Sequence, residues 1–151
     1  SSAMKMLKNA DLDTLIPELT QPVLGICLGM QLLCKHSEEG QTPCMGVFDV
    51  NVVKFENTLK VPQVGWNTIF NLKSDLFRGI KDESFMYLVH SYYVPMHKNC
   101  IANSSYGLEY CVALQKNNFY GVQFHPEKSG VIGEHILKNF IVNTNLLKTD
   151  S

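Results

Sequence analysis

The chain has 151 residues, 45% of them apolar and 18% charged, and its 13 basic against 14 acidic side chains leave a formal charge of −1. That composition excludes a disordered chain, a collagen-like repeat and a supercharged surface. The charge balance argues against a nucleic-acid or anionic-membrane binder, either of which carries a basic excess.

In chain order, Leu12, Leu15, Ile16 and Leu19 form a helical stripe, with Asp11 as the expected N-cap and Pro22 as the breaker. Val23–Cys27 reads as a short buried strand and the residues from Leu28 to Lys35 as a helix. Gly40–Gly46 reads as a loop, Val47–Phe55 as a strand, and Lys60–Asn67, which holds Pro62 and Gly65, as irregular. Phe85–Val89 and Tyr92–Val94 flank His90-Ser91 as strands, and Tyr110–Leu114 pairs with Tyr120–Phe124 as a hairpin. A last helix runs from Ile132 to Asn143, with Ile136, Leu137, Phe140 and Ile141 on its apolar face. Helices and strands in this order predict an α/β fold with a largely parallel central sheet.

The nearly apolar run Val23–Cys34 falls short of the about 20 residues of a membrane span, and Ser1–Thr20 has no basic-then-apolar leader pattern. Cys27, Cys34, Cys44, Cys100 and Cys111 are odd in number and lack Cys-x-x-Cys spacing. They predict reduced thiols in a cytoplasmic protein, with no metal site.

Gly25-Ile26-Cys27-Leu28-Gly29 lies at the predicted strand-to-helix junction. It has the form of a nucleophile elbow, in which small residues two before and two after the nucleophile let backbones approach closely. The turn would expose the sulfur at a helix N-terminus, which favours a thiolate, and leave the Leu28 N–H to stabilise an oxyanion. Taken alone, the pentapeptide fits a buried structural cysteine equally well. His125-Pro126-Glu127 follows the last strand. Residues two apart in an extended segment share a side, so Glu127 can hold one ring nitrogen of His125 and leave the other to take a thiol proton. His36, His90, His97 and His135 have no carboxylate at that spacing.

Pro22–Gln31 (PVLGICLGMQ), His90-Ser91-Tyr92 and Gly121–Lys128 (GVQFHPEK) together resemble the class I, or triad-type, glutamine amidotransferases. Pro62-Gln63-Val64-Gly65-Trp66-Asn67, Lys128-Ser129 and the acidic Ser37-Glu38-Glu39 are similar to the glutaminase subunits of imidazole glycerol phosphate synthase within that family. The resemblance implies a flavodoxin-like three-layer α/β domain and a Cys27–His125–Glu127 triad that hydrolyses glutamine without a cofactor. It implies substrate contacts from Leu28, Gln31, Glu39, Ser91 and Tyr92. It also implies that ammonia passes to a (β/α)₈ cyclase subunit in histidine biosynthesis, with Trp66, Tyr87 and Lys128 at the subunit contact. A lone tryptophan is also a common core residue, and Gln31 and Glu39 would otherwise be a solvated helix position and a loop charge.

Against that family pattern the chain is expected to be a partial domain, lacking the first strands and the glycine-rich loop that supplies a second oxyanion donor. Loss of one such donor costs roughly 100- to 1,000-fold in kcat, so little activity is expected of this polypeptide alone. A glutaminase serving another pathway and a catalytically silent binding module are the alternatives.

Overall fold

The computed structural model describes residues 2–149, with side chains through residue 142. Two short helices open the chain, α1 (Ser2–Asn9) and α2 (Leu12–Leu15), and a 3-10 turn over Ile16–Glu18 follows. The predicted helix is therefore shorter than its apolar stripe, because Pro17 sits at the start of the 3-10 turn. Asp11 does not cap it: the residue lies in the left-handed region at φ 59° and its side chain makes no capping bond, so it turns the chain between α1 and α2 instead.

Strand β1 (Val23–Ile26) and helix α3 (Leu28–Leu33) form at the expected places, but the helix stops before Cys34 and Lys35, which open strand β2 (Cys34–Ser37); β3 (Thr42–Pro43) and β4 (Phe48–Lys54) follow. The segment expected to be irregular is largely a strand, β5 (Gln63–Ile69), paired residue for residue with β6 (Ser84–His90). Of the two residues that argued for a loop, Pro62 lies just before the strand and Gly65 takes a positive φ within it. Strands β7 (Tyr92–Tyr93), β8 (Cys100–Ser105), β9 (Glu109–Lys116) and β10 (Phe119–Val122) precede α4 (Gly130–Thr149).

One sheet runs β1-β10-β9-β8, and a second runs β3-β2-β4-β7. Only β1–β10 in the first and β2–β4 in the second are parallel, which corrects the expectation of a largely parallel sheet. The reason is the hairpin at Asn117-Asn118, which makes β9 antiparallel to β10 and leaves β8 to pair back on β9. Strand β8 brings Cys100 and Cys111 to a Cα–Cα distance of 5.7 Å, and they form a disulfide. The expectation of five free thiols is corrected to three, Cys27, Cys34 and Cys44. On its outer side β1 has no strand partner among the described residues. An apolar hollow lined by Leu7, Ile16, Val23, Leu24, Leu32 and Met45 lies beside it.

Gly25 and Gly121 stand side by side on the parallel strands β1 and β10, and together they let α3 lie flat on the sheet. A Cβ on Gly25 would meet the Gly29 carbonyl carbon at 2.7 Å and the Met30 nitrogen at 2.8 Å, while one on Gly121 would meet the Met30 side chain at 2.8 Å. Gly29 differs from expectation: a Cβ there meets nothing within 4 Å. Only the first glycine of the pentapeptide is thus required by close approach.

Phe55, Ile69, Leu76, Met86, Leu88, Tyr110, Val122, Phe124 and Ile136 are fully or almost fully buried and make up most of one core. Met30, Leu33, Phe48, Val52 and Leu114 belong to a second core under α3 and β4. Inside the first core lies a polar cluster. His90 donates from Nδ1 to the Tyr92 carbonyl at 2.8 Å, and its Nε2 lies 2.9 Å from the Gln63 carboxamide oxygen and 3.2 Å from the Tyr110 hydroxyl, which donates to that same Gln63 oxygen at 3.0 Å. Burial drives the imidazole pKa down to about 4, partly offset by its bond to Tyr92. His90 is therefore neutral at pH 7. Among the described residues no helix is long and apolar enough to cross a membrane.

Two outcomes follow from this packing. Gly25→Ala should cost about 2–3 kcal/mol through overpacking, and Gly29→Ala less than about 1 kcal/mol, as read by urea unfolding. The His90 pKa lies below its unfolded value of 6.5, so between pH 6.5 and 4 the unfolded chain binds the extra proton and the fold loses about 3 kcal/mol as the pH drops. His90→Gln should show a visibly flatter fall in stability over that interval than the parent, and parallel slopes would contradict this assignment.

Candidate active site

The β1–α3 junction and the end of β10 lie side by side because β1 and β10 are parallel neighbours. The Cys27 amide donates to the Val122 carbonyl at 2.8 Å, so the ladder continues into the elbow. Cys27 itself has φ 54° and ψ −107°, outside the ordinary allowed regions for a side-chain-bearing residue. This strained bend turns the chain from strand into helix within one residue, as the spacing of Gly25 and Cys27 led us to expect.

The Cys27 sulfur is half-buried among backbone and amide groups. It lies 3.7 Å from the Val89 carbonyl and 3.6 Å from Nε2 of Gln123, and the Leu28 amide also bonds to it. Burial raises the thiol pKa; the Leu28 and Gln123 amides pull it down, Glu127 pushes it up and Lys128 lowers it. The net direction is upward, so the pull of the helix N-terminus towards a thiolate is outweighed. Helix α3 has six residues, and its partial charge does not outweigh the loss of water around the sulfur. A thiol so placed needs a base to remove its proton before it can attack anything.

The imidazole expected to act as that base, His125, stands on the turn after β10. His125 Nδ1 is 2.9 Å from Glu127 Oε2, the pairing expected from their spacing. Nε2 makes no bond to the described protein groups and is the nitrogen left for chemistry. Residues Pro126–Lys128 form a 3-10 turn rather than extended chain. The contact arises because the turn folds Glu127 back towards the ring, not because the two side chains share a strand face. The His125 amide donates to Tyr87 O at 3.0 Å, Ser129 Oγ donates to His125 O at 2.6 Å, and the Tyr87 amide donates to Ser129 Oγ at 3.0 Å. Buried Ser129 thus clamps the turn onto β6.

The remaining expected residues divide into three groups. Leu28, Gln31 and Glu39 line one small cavity with Leu32, Ser37, Thr42 and Cys44, so the structure brings these three candidates together beside the elbow. Gln31 is not solvated. It is 7% exposed, and its Nε2 donates to the Tyr92 carbonyl at 3.1 Å and to Gln123 Oε1 at 2.9 Å. Ser91 and Tyr92 connect β6 to β4 through the Phe55 amide, which donates to Ser91 O at 3.1 Å, and the pairing of Tyr92 with Lys54. The Tyr92 carbonyl already accepts two bonds, from Gln31 and His90. Trp66 and Tyr87 pair directly across β5 and β6, edge to face at 6.0 Å, and Trp66 is 55% exposed, as are Val64 at 61% and Phe85 at 55%. Trp66 is therefore a surface residue on an apolar strand face. Lys128 is exposed at the mouth of the cysteine site.

Sequence reading missed Gln123. It sits in the apolar run Phe119–Phe124, is fully buried, and touches both Gln31 and Cys27. A lone carboxamide in such a run is itself a signal, because a buried amide must find partners. Among the described residues no group of three or more His, Cys, Asp or Glu is placed to hold a metal ion.

Comparison with known proteins agrees with this geometry. The sequence profile of class-I glutamine amidotransferases matches residues 5–144. The imidazole glycerol phosphate synthase subunit HisH of Bacteroides fragilis (strain YCH46) is 53% identical over 143 residues, spanning 93% of this chain and 73% of that protein. The protein of the same name in Escherichia coli (strain K12) is 46% identical over the same shares. Among solved structures, a putative GMP synthase subunit of Thermoplasma acidophilum aligns at a TM-score of 0.72 with 21% identity, over 97% of this chain and 69% of that one. A glutamine amidotransferase of Thermotoga maritima aligns at 0.60 with 18% identity, over 95% of this chain and 56% of that one. These last two likenesses speak to the fold alone. With a profile matched along almost the whole chain and a relative more than half identical, the chain belongs to the class I glutamine amidotransferases.

Proposed function

We propose that this chain is the glutaminase subunit of an imidazole glycerol phosphate synthase, acting in histidine biosynthesis in the cytoplasm. The identity of 46% to 53% with proteins named as that subunit supports the pathway. The observation that carries the chemistry is the aligned pair His125–Glu127 at 2.9 Å on the turn after β10, the parallel neighbour of the strand that ends in the strained Cys27 elbow.

In this reading glutamine enters with its side-chain amide over Cys27. His125 Nε2 takes the thiol proton while the sulfur bonds to the amide carbon, and the carbonyl oxygen becomes an oxyanion facing the Leu28 N–H. His125 returns the proton to the leaving nitrogen, the carbon–nitrogen bond breaks, and ammonia departs from a γ-glutamyl thioester. Water, deprotonated by the same imidazole, then cleaves the thioester to glutamate and restores the thiol. Glu127 keeps the ring oriented and stabilises the imidazolium that forms twice in the cycle. Because burial leaves the thiol protonated, the base is needed in the first step.

Gln31 and Glu39, which share a cavity with Leu28, hold the amino-acid end of the substrate, and the Ser91-Tyr92 backbone closes its other side. Ammonia passes to a (β/α)₈ cyclase subunit docked on the exposed apolar face of β5 and β6. Trp66 and Tyr87 anchor that contact and Lys128 lies at its edge; a half-exposed aromatic pair is a common interface anchor.

With the cyclase subunit present, Cys27→Ser should lower glutamine turnover by roughly 10⁴-fold or more. Glu127→Gln should lower kcat by about 10²- to 10⁴-fold, with KM nearly unchanged, because it disturbs orientation rather than binding. Steady-state glutamate release measures both. Wild-type turnover in the Cys27→Ser protein would end the proposal.

A further inference from the structure

Gln123 follows β10, its side chain is fully buried, and both polar atoms of its carboxamide are bonded. Its orientation follows from elementary donor and acceptor chemistry. The Tyr92 carbonyl can only accept, so the group that Gln31 turns towards it at 3.1 Å is its NH₂. The second hydrogen of that NH₂ points to Gln123 at 2.9 Å, which requires an acceptor there, the Gln123 oxygen. The Gln123 NH₂ is then the end that faces the Cys27 sulfur at 3.6 Å. His90 donates to the same Tyr92 carbonyl and fixes it from the other side. The chain of bonds His90–Tyr92–Gln31–Gln123 thus presents a donor, and not an acceptor, to the thiol.

The sulfur is therefore held between unlike groups. The Val89 carbonyl accepts from the thiol proton at 3.7 Å, and the Gln123 amide donates to the sulfur. When the proton leaves, the first contact becomes repulsive and the second strengthens, as hydrogen bonds to ions do. In the opposite orientation the Gln123 NH₂ would face the Gln31 NH₂ and the bond between the two carboxamides would be lost. The one imposed on it by Gln31 is the one useful to an anion.

We infer that Gln123 is a positioning residue of the glutaminase centre, donating to the Cys27 sulfur so that its negative form is stabilised and turned away from Val89 towards the substrate carbonyl. This rests on reading Cys27 as the nucleophile. Other groups also face the sulfur. Glu127 opposes its ionisation and Lys128 favours it, both on the turn after β10 with His125. The elbow offers the Leu28 amide, and β6 offers the Val89 carbonyl.

The test is the pH dependence of Cys27 alkylation by iodoacetamide in the whole chain. Adducts are assigned by peptide mass mapping, because Cys34 and Cys44 are also free. Gln123→Met keeps the bulk and removes the donor; Gln123→Glu keeps the shape and the acceptor for Gln31 while placing an anion beside the sulfur. Both should move the midpoint of the Cys27 profile up by about one pH unit or more, with Glu the larger shift, and slow alkylation at pH 7 by about tenfold. Circular dichroism confirms folding, and the Glu variant stands in if the Met variant unfolds. In the presence of the cyclase subunit kcat should fall by about tenfold with KM nearly unchanged. Profiles that superimpose on the parent's in a folded variant would overturn the inference. A shifted profile in a protein whose parent never turns over glutamine would leave the Gln123 contact standing and sink the nucleophile reading instead.

Discussion

The parallel pairing of β1 with β10 is the constraint on which the candidate site depends. It aligns Ile26 with Val122 and carries one further ladder bond from the Cys27 amide. Two segments far apart in the sequence therefore end at the same edge of one sheet. The elbow leaves from one strand and the His-Pro-Glu turn from the other. Neither the strained φ of Cys27 nor the folded-back Glu127 would serve a reaction if the strands slipped, since a one-residue shift reverses which face each side chain occupies. The paired glycines Gly25 and Gly121 add a second constraint, because they set how closely α3 lies on those strands and hence where the sulfur points.

Burial shapes the chemistry at this edge. It raises the Cys27 thiol above its ordinary pKa, and two amides and a lysine work against it. The result is a sulfur that rests protonated and is prepared for ionisation by neutral donors. His90 shows the same physics with the opposite sign, since burial holds a base neutral and makes it a fixed donor to the Tyr92 carbonyl. Neutral, fully bonded carboxamides and imidazole can sit in the core at little cost, where bare charges could not. The charged groups of the site, Glu127 and Lys128, stay at its exposed mouth.

Much of this was legible from local pattern. The elbow, the histidine–glutamate pair, the hairpin and the last helix announce themselves through glycine spacing, residue type and periodicity over a few neighbours. What was not legible depends on distant partners. Strand β5 begins directly after Pro62, carries Gly65, and exists because β6 pairs with it along its length. Strand β8 was not anticipated, so the approach of Cys100 to Cys111 could not be either. The direction of the sheet was misread because an apolar run does not say whether its neighbours run parallel to it. Gly29 looked as constrained as Gly25, yet close approach depends on which side of the helix the sheet lies. Gln123 was passed over inside an apolar run, although a buried amide there called for partners.

The central claim is that a γ-glutamyl group is carried on the elbow thiol. The most direct measurement mixes the chain, together with its cyclase partner, with glutamine, quenches in acid within the first turnover and maps the covalent adduct by peptide mass spectrometry. A glutamyl group on Cys27, removable by hydroxylamine as a thioester must be, is the predicted result. Glutamate formed with the adduct on another residue, or at full rate with no adduct in a chain whose Cys27 has been replaced, would contradict it.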